Sequence, residues 1–259
     1  MRTLAAAAKL LLCAALSCAA GPRTPAQSAR SFSGNWNEQK AAEIALQISR
    51  SWPAATEGDP HTAPEKRPQS NVYSFLHFDK QGVTRWLVLV AQSPPDYNCH
   101  ACAPATGGVV FTRKGDIFEA NYDQPNITSL GAFGNPPQAH VQELGHGQPA
   151  IAFEMNSMAQ GFEATSLTLV SEVEGKLKEV LSLQTAASNE AAGLPEEQTF
   201  KWSATLEFVP GAKRKYFDIR VKSTGTRETE DGPNAGKVGP YSSTVVYRFS
   251  DGAYRPESK

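Results

Sequence analysis

The sequence predicts a mainly β protein: an antiparallel meander that forms a sandwich or an open barrel and carries one N-terminal helix. From residue 71 onward, short runs of β-branched and aromatic residues are separated by glycine turns. Hydrophobic and polar residues alternate between Phe200 and Phe208, which indicates a sheet with one buried and one solvated face. The intervals between the runs are too short for the crossover helix that parallel strands need.

Composition limits the classes of protein that this chain can represent. Of its 259 residues, 40% are hydrophobic and 20% are charged, which excludes a collagen-like or wholly disordered chain. The formal net charge is -1, so no overall field recruits nucleic acid or an anionic membrane. No boundary divides the β-type region, and we expect a single domain over residues 35–259.

The first 20 residues have the pattern of a secretory signal peptide. Arg2 and Lys9 supply positive charge, residues 10–16 form a short apolar run, and small residues follow it. The run is shorter than the roughly 20 residues that cross a bilayer as a helix, so we predict no transmembrane segment. The expected location is outside the cytoplasm, either periplasmic or secreted.

The end of this signal leaves two processing outcomes open. Residues 15–18 resemble the signal of bacterial lipoproteins, in which the lipid is attached to a cysteine, here Cys18. That outcome would give an outer-membrane lipoprotein with a lipid anchor. The other is ordinary cleavage after Ala19 or Ala20. In both cases we interpret residues 21–34 as a flexible tether.

One helix is predicted near the N-terminus, over residues 35–52. It opens with a capping-box-like segment, and Ala41, Ile44, Ile48 and Trp52 follow at spacings of three and four, so they share one face. Pro53 ends the helix. Residues 54–70 are rich in proline and have no periodicity, which indicates an exposed linker.

Five pairs of runs have the pattern of β-hairpins, within a total of about ten to twelve strands. In each pair, two strand-like runs flank a short turn that contains glycine. The pairs are residues 72–78 with 83–91, 108–113 with 117–122, 164–171 with 176–184, 200–208 with 217–221, and 244–249 with 253–254.

The loop segment Cys99-His100-Ala101-Cys102 is the one constellation that suggests chemistry. A disulfide between Cys99 and Cys102 would close a short ring worth only about 2 kcal/mol, so it would pin the loop rather than stabilise the fold. A redox-active dithiol is the second interpretation, with His100 lowering the thiolate pKa. Metal binding is the third, although only two thiolates are local. The spacing excludes covalent haem attachment, and the strand that follows excludes a thioredoxin-like site.

Other residues give weaker signals. His140 and His146 are weak metal-ligand candidates, since they lie six residues apart and not at the i, i+4 spacing of helical zinc motifs. Glu172 and Glu174 lie beside a turn, where carboxylates are expected to be solvated. Standard hydrolase, phosphate-loop and dinucleotide motifs are absent from the sequence, so we predict no catalytic residue and no cofactor.

Three segments carry a resemblance. Cys99-His-Ala-Cys-Ala-Pro104, Gly131-Ala-Phe-Gly-Asn-Pro-Pro137 and Gln160-Gly-Phe162 resemble a layout in exported, β-rich bacterial proteins that have a Cys-His-x-Cys-x-Pro motif and no assigned activity. The resemblance covers residues 71–185. It implies the exported compartment and a single β-rich unit, and it transfers no catalytic residue.

The sequence thus leads to two functional hypotheses. The first is a non-enzymatic envelope or secreted module that binds an unknown protein or small-molecule ligand through its loops, at residues 54–70, 92–107 and 124–138. The alternative is thiol-disulfide or metal chemistry at Cys99 and Cys102, tuned by His100.

Overall fold

The computed structural model describes residues 30–53, 68–93, 102–211, 214–229 and 236–257. Within these ranges the protein consists of thirteen antiparallel strands in two sheets, one α-helix and two short 3-10 turns, so the mainly β prediction with one helix is confirmed. The elements are β1 (Ser31–Ser33), α1 (Glu38–Ser49), β2 (Gln69–Lys80), β3 (Val83–Ser93), β4 (Ala105–Lys114), β5 (Ile117–Thr128), β6 (Gln138–Glu143), β7 (Pro149–Ala159), β8 (Phe162–Val173), β9 (Lys176–Ser188), β10 (Lys201–Val209), β11 (Asp218–Glu228), β12 (Val238–Ser250) and β13 (Ala253–Pro256).

The two sheets differ in size and shape. The smaller has the order β1-β5-β4-β3-β2, and the larger is an eight-stranded meander from β6 to β13 that forms a half-barrel. Only three residue pairs join β9 to β10, at Ala186–Ser188 and Lys201–Ser203, whereas β10 and β11 pair over eight. The large sheet is therefore weakly connected between β9 and β10.

Helix α1 covers the outer face of the small sheet. The side chain of Asn37 caps the helix by accepting a hydrogen bond from the Lys40 backbone N–H at 2.9 Å. Ala41, Ala45 and Ile48 are buried, and they belong to a core cluster that includes side chains of β3, β4 and β5. The predicted helical face is thus the face that packs.

A second core cluster joins the two sheets, and a third lies within the large sheet. The second combines side chains of β3 and β4 with others from β7 and β8, and fully buried members are Leu87, Val110, Phe153 and Val170. β3 and β4 are therefore buried on both faces. The third cluster brings residues of β7, β8 and β9 against β11 and Tyr254.

Several hairpins turn on a two-residue pair that ends in glycine. Both residues have positive φ at Gln81-Gly82, Phe133-Gly134, Gln160-Gly161, Glu174-Gly175 and Asp251-Gly252. Positive φ at both central residues is the type I′ geometry, whose twist matches that of paired strands. The hairpins predicted at Gly82, Gly175 and Gly252 thus form through this turn.

The strands extend further than the sequence indicated. Ser31–Ser33, which we assigned to the tether, pairs with Glu119, Phe118 and Ile117 of β5. β2 begins at Gln69, inside the predicted linker, and β4 begins at Ala105, inside the predicted loop of residues 92–107. Residues with low β-propensity, serine and glutamine at β1 and β2 and alanine and glycine at β4, reduced the strand signal at these ends, while backbone pairing with a neighbour extends the strands there.

Glu172 corrects the expectation of a solvated carboxylate. Its side chain is 11% exposed and forms ion pairs with Arg85 at 2.9 Å and Lys80 at 3.4 Å. Lys80 belongs to β2 and Arg85 to β3, whereas Glu172 belongs to β8, so the ion pairs connect the two sheets. Burial lowers the pKa of Lys80, and the carboxylate of Glu172 opposes that shift.

The predicted signal peptide, Cys18, residues 21–29 of the predicted tether and residues 54–67 of the predicted linker lie outside the described residues. Among the helices that the structure describes, none is long and apolar enough to cross a membrane.

Candidate binding surface

The segment that follows β5 places an aromatic side chain at an exposed turn. Ala132 and Asn135 exchange backbone hydrogen bonds of 3.2 and 2.8 Å, which leaves Phe133 and Gly134 at the tip. Phe133 has φ of +52° and is 52% exposed. Left-handed backbone is uncommon for a bulky residue, because its Cβ crowds the following carbonyl at a cost of about 1–2 kcal/mol. The turn therefore holds Phe133 outward at an energetic cost.

The chain around Cys102 supports this turn. The Gly134 N–H donates a hydrogen bond of 2.8 Å to the carbonyl of Cys102. A methyl group on Gly131 would lie 2.7 Å from Cδ of Pro104 and 2.3 Å from the carbonyl oxygen of Asn135, so only glycine fits there. Two of the three segments that carry the sequence resemblance are thus in direct contact.

Strand β7 supports the same segment from the other side. The Gly131 N–H donates to Sδ of Met155 at 3.1 Å. Ala159 lies four residues after Met155 on β7, which is about 13 Å at the usual rise per residue. Ala159 pairs with Phe162 across the β7–β8 turn. The third segment of the resemblance, Gln160-Gly-Phe162, therefore lies at the same end of the molecule.

This end displays most of the large hydrophobic side chains that the described residues expose. Phe162 is 48% exposed and Met158 is 55% exposed, beside the turn at Gly161. A methyl group on Gly161 would lie 2.4 Å from Cα of Ala192, so the turn touches the segment that leads to Leu194, itself 39% exposed. We call the set Phe133, Met158, Phe162 and Leu194 the apolar end.

Buried side chains lie beside the segment that supports Phe133. Thr106, two residues after Pro104, is fully buried, and its Oγ1 lies 3.5 Å from the hydroxyl of Tyr73. Burial raises the pKa of Tyr73 to about 12, against a partial opposing effect of the hydrogen bond to Thr106. Close packing at Thr106 limits the movement of the neighbouring segment that contacts the Phe133 turn.

The predicted site residues are only partly within the described ranges. Cys99 and His100 lie outside them, so the disulfide, redox and metal interpretations of this pair stay predictions. Cys102 is described and is 6% exposed. Its backbone carbonyl contacts the Phe133 turn through the hydrogen bond from Gly134.

The structure does not bring the two candidate metal histidines together into a site. His140 lies on β6 opposite Ala152, while the ring of His146 meets the ring of Phe217 edge-on at 5.3 Å. Among the described residues, no group of three or more His, Cys, Asp or Glu side chains is placed to hold a metal ion.

The sequence singled out most segments of this surface but did not indicate which of their side chains are exposed. The turn at Phe133-Gly134 has the X-Gly signal of a type I′ turn, and that signal alone does not reveal which side chain remains exposed. Leu194 gave no signal, because the contact that brings its segment to this end joins Gly161 to Ala192, 31 positions apart in sequence. Comparisons of the chain with protein-family models, with curated proteins and with solved structures returned no match.

Proposed function

We propose that this protein is an exported, non-enzymatic binding module that engages a partner protein through the apolar end. One observation carries the proposal: Phe133 is half exposed while its backbone is held in the left-handed region. Burying a phenylalanine side chain is worth about 1.5–3 kcal/mol. With Phe133 52% exposed, the free protein forgoes about half of that burial and also bears the backbone cost, and a partner that covers Phe133 would recover the lost part.

The neighbourhood of Phe133 supports the proposal. Aromatic side chains and methionine are enriched at the cores of protein interfaces, and the apolar end contains two phenylalanines and one methionine. Four of the six large hydrophobic side chains that the described residues expose lie at this end, with Phe162 and Met158 on opposite faces of the β7–β8 hairpin. The burial of Cys102 favours a structural cysteine over an exchanging thiol, which needs access.

Site-specific photocrosslinking in the native host tests this function. A photoreactive residue replaces Phe133 in one strain and Ile117 in another, because Ile117 is 37% exposed beside the β4–β5 turn at the far end of β4. We expect one discrete crosslinked protein from position 133 and none from position 117. Equal products from both positions, or none from position 133, would contradict the proposal.

The crosslinked protein is then purified and its affinity for two variants is measured. Phe133→Asn should weaken binding by more than tenfold, as expected for the loss of an interface anchor worth above about 1.4 kcal/mol. The same variant should unfold at an equal or higher urea concentration, because asparagine adopts left-handed backbone more readily. A loss of stability together with unchanged affinity would assign Phe133 to the fold and not to recognition.

A further inference from the structure

A second surface has a different chemistry. Beyond the end of β10, a groove of about 470 Å³ lies between the segment that precedes β11 and the β12–β13 hairpin. Its lining includes four cationic side chains, Arg214, Lys215, Arg248 and Arg255, and two carboxylates, Asp218 and Glu257. The groove therefore has two positive charges in excess.

The two carboxylates are already engaged by two of the arginines. Asp218 accepts hydrogen bonds from Nη1 of Arg214 with both of its oxygens and lies 3.6 Å from Nε of Arg248. Glu257 lies 2.7 Å from Nη1 of Arg248. In the part of the chain that the structure describes, neither Lys215 nor Arg255 has an ion-pair partner.

The register of the hairpin places two like charges opposite each other. Arg248 and Arg255 are directly paired across β12 and β13, so they project from the same face. Like charges at directly opposite positions of an antiparallel pair are destabilising. An anion held between these side chains would offset that repulsion.

The wall behind the cations is rigid. The rings of Tyr216 and Phe249 stack with centroids 3.8 Å apart, and Tyr254 meets Phe249 edge-on at 5.3 Å. The Tyr254 hydroxyl donates a hydrogen bond of 3.0 Å to the carbonyl of Phe217. The two segments that supply the cations are thus fixed relative to each other, which lowers the cost of ordering them around a ligand.

We propose that this groove binds a phosphate group. A planar carboxylate is satisfied by one arginine side chain, whereas the cations of the segment before β11 and of the β12–β13 hairpin can contact an anion from several directions, which suits a tetrahedral anion. The excess of two positive charges also matches a phosphate monoester, which carries about -1.5 to -2 charges near neutral pH. The phosphate group can belong to a soluble compound or to a lipid headgroup, since the groove recognises the same chemistry in both.

Calorimetric titration with inorganic phosphate at low ionic strength tests the site in the full-length mature protein. We expect saturable binding at one site, with Arg255→Gln and Lys215→Gln each weakening the affinity about tenfold. Arg220→Gln is the matched control, because it removes the same charge from β11, where Arg220 pairs with Glu207 at 3.0 Å. The control should change the affinity less than twofold, since it lies outside the groove lining.

Thermal unfolding of each variant verifies that the fold is retained. Phosphate binding that does not saturate, or that falls equally in Arg255→Gln and Arg220→Gln, would overturn the proposal in favour of diffuse attraction. Flotation with phosphatidylcholine vesicles that contain phosphatidic acid then distinguishes a lipid headgroup from a soluble phosphate compound as the ligand. If the protein binds these vesicles and Arg255→Gln abolishes that binding, the phosphate group belongs to a lipid headgroup. If the protein binds inorganic phosphate but not the vesicles, the ligand is a soluble phosphate compound. If it binds neither, the proposed site is wrong.

Discussion

Gly107 is a residue whose missing side chain determines local packing. A methyl group there would lie 2.2 Å from Cζ3 of Trp52 and 2.9 Å from the carbonyl oxygen of Gln124. Trp52 cannot move away freely, because its Nε1 donates a hydrogen bond of 2.7 Å to Asp123. The indole therefore lies directly on the backbone of β4, and it attaches the end of the helical segment to the small sheet.

We predict that Gly107→Ala destabilises the protein by about 1–3 kcal/mol, as expected when a well-packed core is overfilled. Urea unfolding measures the change. Gly239→Ala is the control, since a methyl group at Gly239 meets nothing within 4 Å, and its effect should stay within about 0.5 kcal/mol. Equal stability of the two variants would show that Trp52 moves aside at little cost.

Tyr73 predicts how stability depends on alkaline pH. Burial raises its pKa from 10.0 to about 12, so the folded state keeps the phenol proton over a range in which the unfolded chain releases it. The resulting stabilisation is complete below pH 10 and is lost as the pH rises through about 12. Burial also raises the pKa values of Tyr122 and Tyr254.

Spectrophotometric titration of tyrosinate follows this effect. In the wild-type protein, part of the tyrosine signal should appear only near pH 12, and Tyr73→Phe should remove one late-titrating group. Unfolding is measured over the same pH range. This measurement shows whether a late tyrosine loses its proton in the folded protein or only after the protein has unfolded. A late signal of unchanged size in Tyr73→Phe would contradict the assignment.

At the scale of elements, the ion pairs of Glu172 connect β2 and β3 of the small sheet to β8 of the large one. The Glu172 side chain is 11% exposed, and removing one partner of a mostly buried pair leaves uncompensated charge. We therefore predict that Glu172→Gln lowers the free energy of unfolding by about 2–4 kcal/mol, measured by urea denaturation.

Glu174→Gln provides a matched control two residues away. Glu174 pairs with Lys178 at 2.7 Å, but its side chain is 80% exposed, and solvent screens such surface pairs so that they contribute little to stability. A similar, small effect of both substitutions would mean that solvent screens the Glu172 ion pairs and that the apolar cluster alone holds the sheets together.

At the scale of the whole molecule, the weak connection between β9 and β10 predicts unequal local stability. Leu87, Leu89, Val109 and Val110 lie on strands buried on both faces, while β10 is joined to β9 by three residue pairs only. Hydrogen exchange measured by mass spectrometry should therefore show the slowest exchange in β3 and β4 and faster exchange in β10–β13. Equally slow exchange in all of these strands would show that the molecule opens as one cooperative unit.

Local signals in the sequence predicted much of this architecture. Each of the five predicted hairpins forms, because glycine-containing turns and alternating residues act over a few positions. Helix α1 forms and buries the predicted apolar face, but at Glu38–Ser49 it is three residues shorter at each end than the predicted range 35–52. The strand ends were harder to predict, since at Ser31–Ser33 and at Ala105 backbone pairing with a distant neighbour extends a strand whose own residues give a weak signal.

The sequence by itself determined the fold class and the five hairpins, and it singled out residues 131–137 and 160–162 but not the segment of Leu194. Only the tertiary structure decided that Phe133, Met158, Phe162 and Leu194 share one end, that Glu172 is buried, and that Arg248 faces Arg255. The physical reason is distance along the chain. Turn and strand preferences depend on neighbours within a few residues, whereas burial, ion pairing and cross-strand register depend on the packing of strands from distant parts of the sequence.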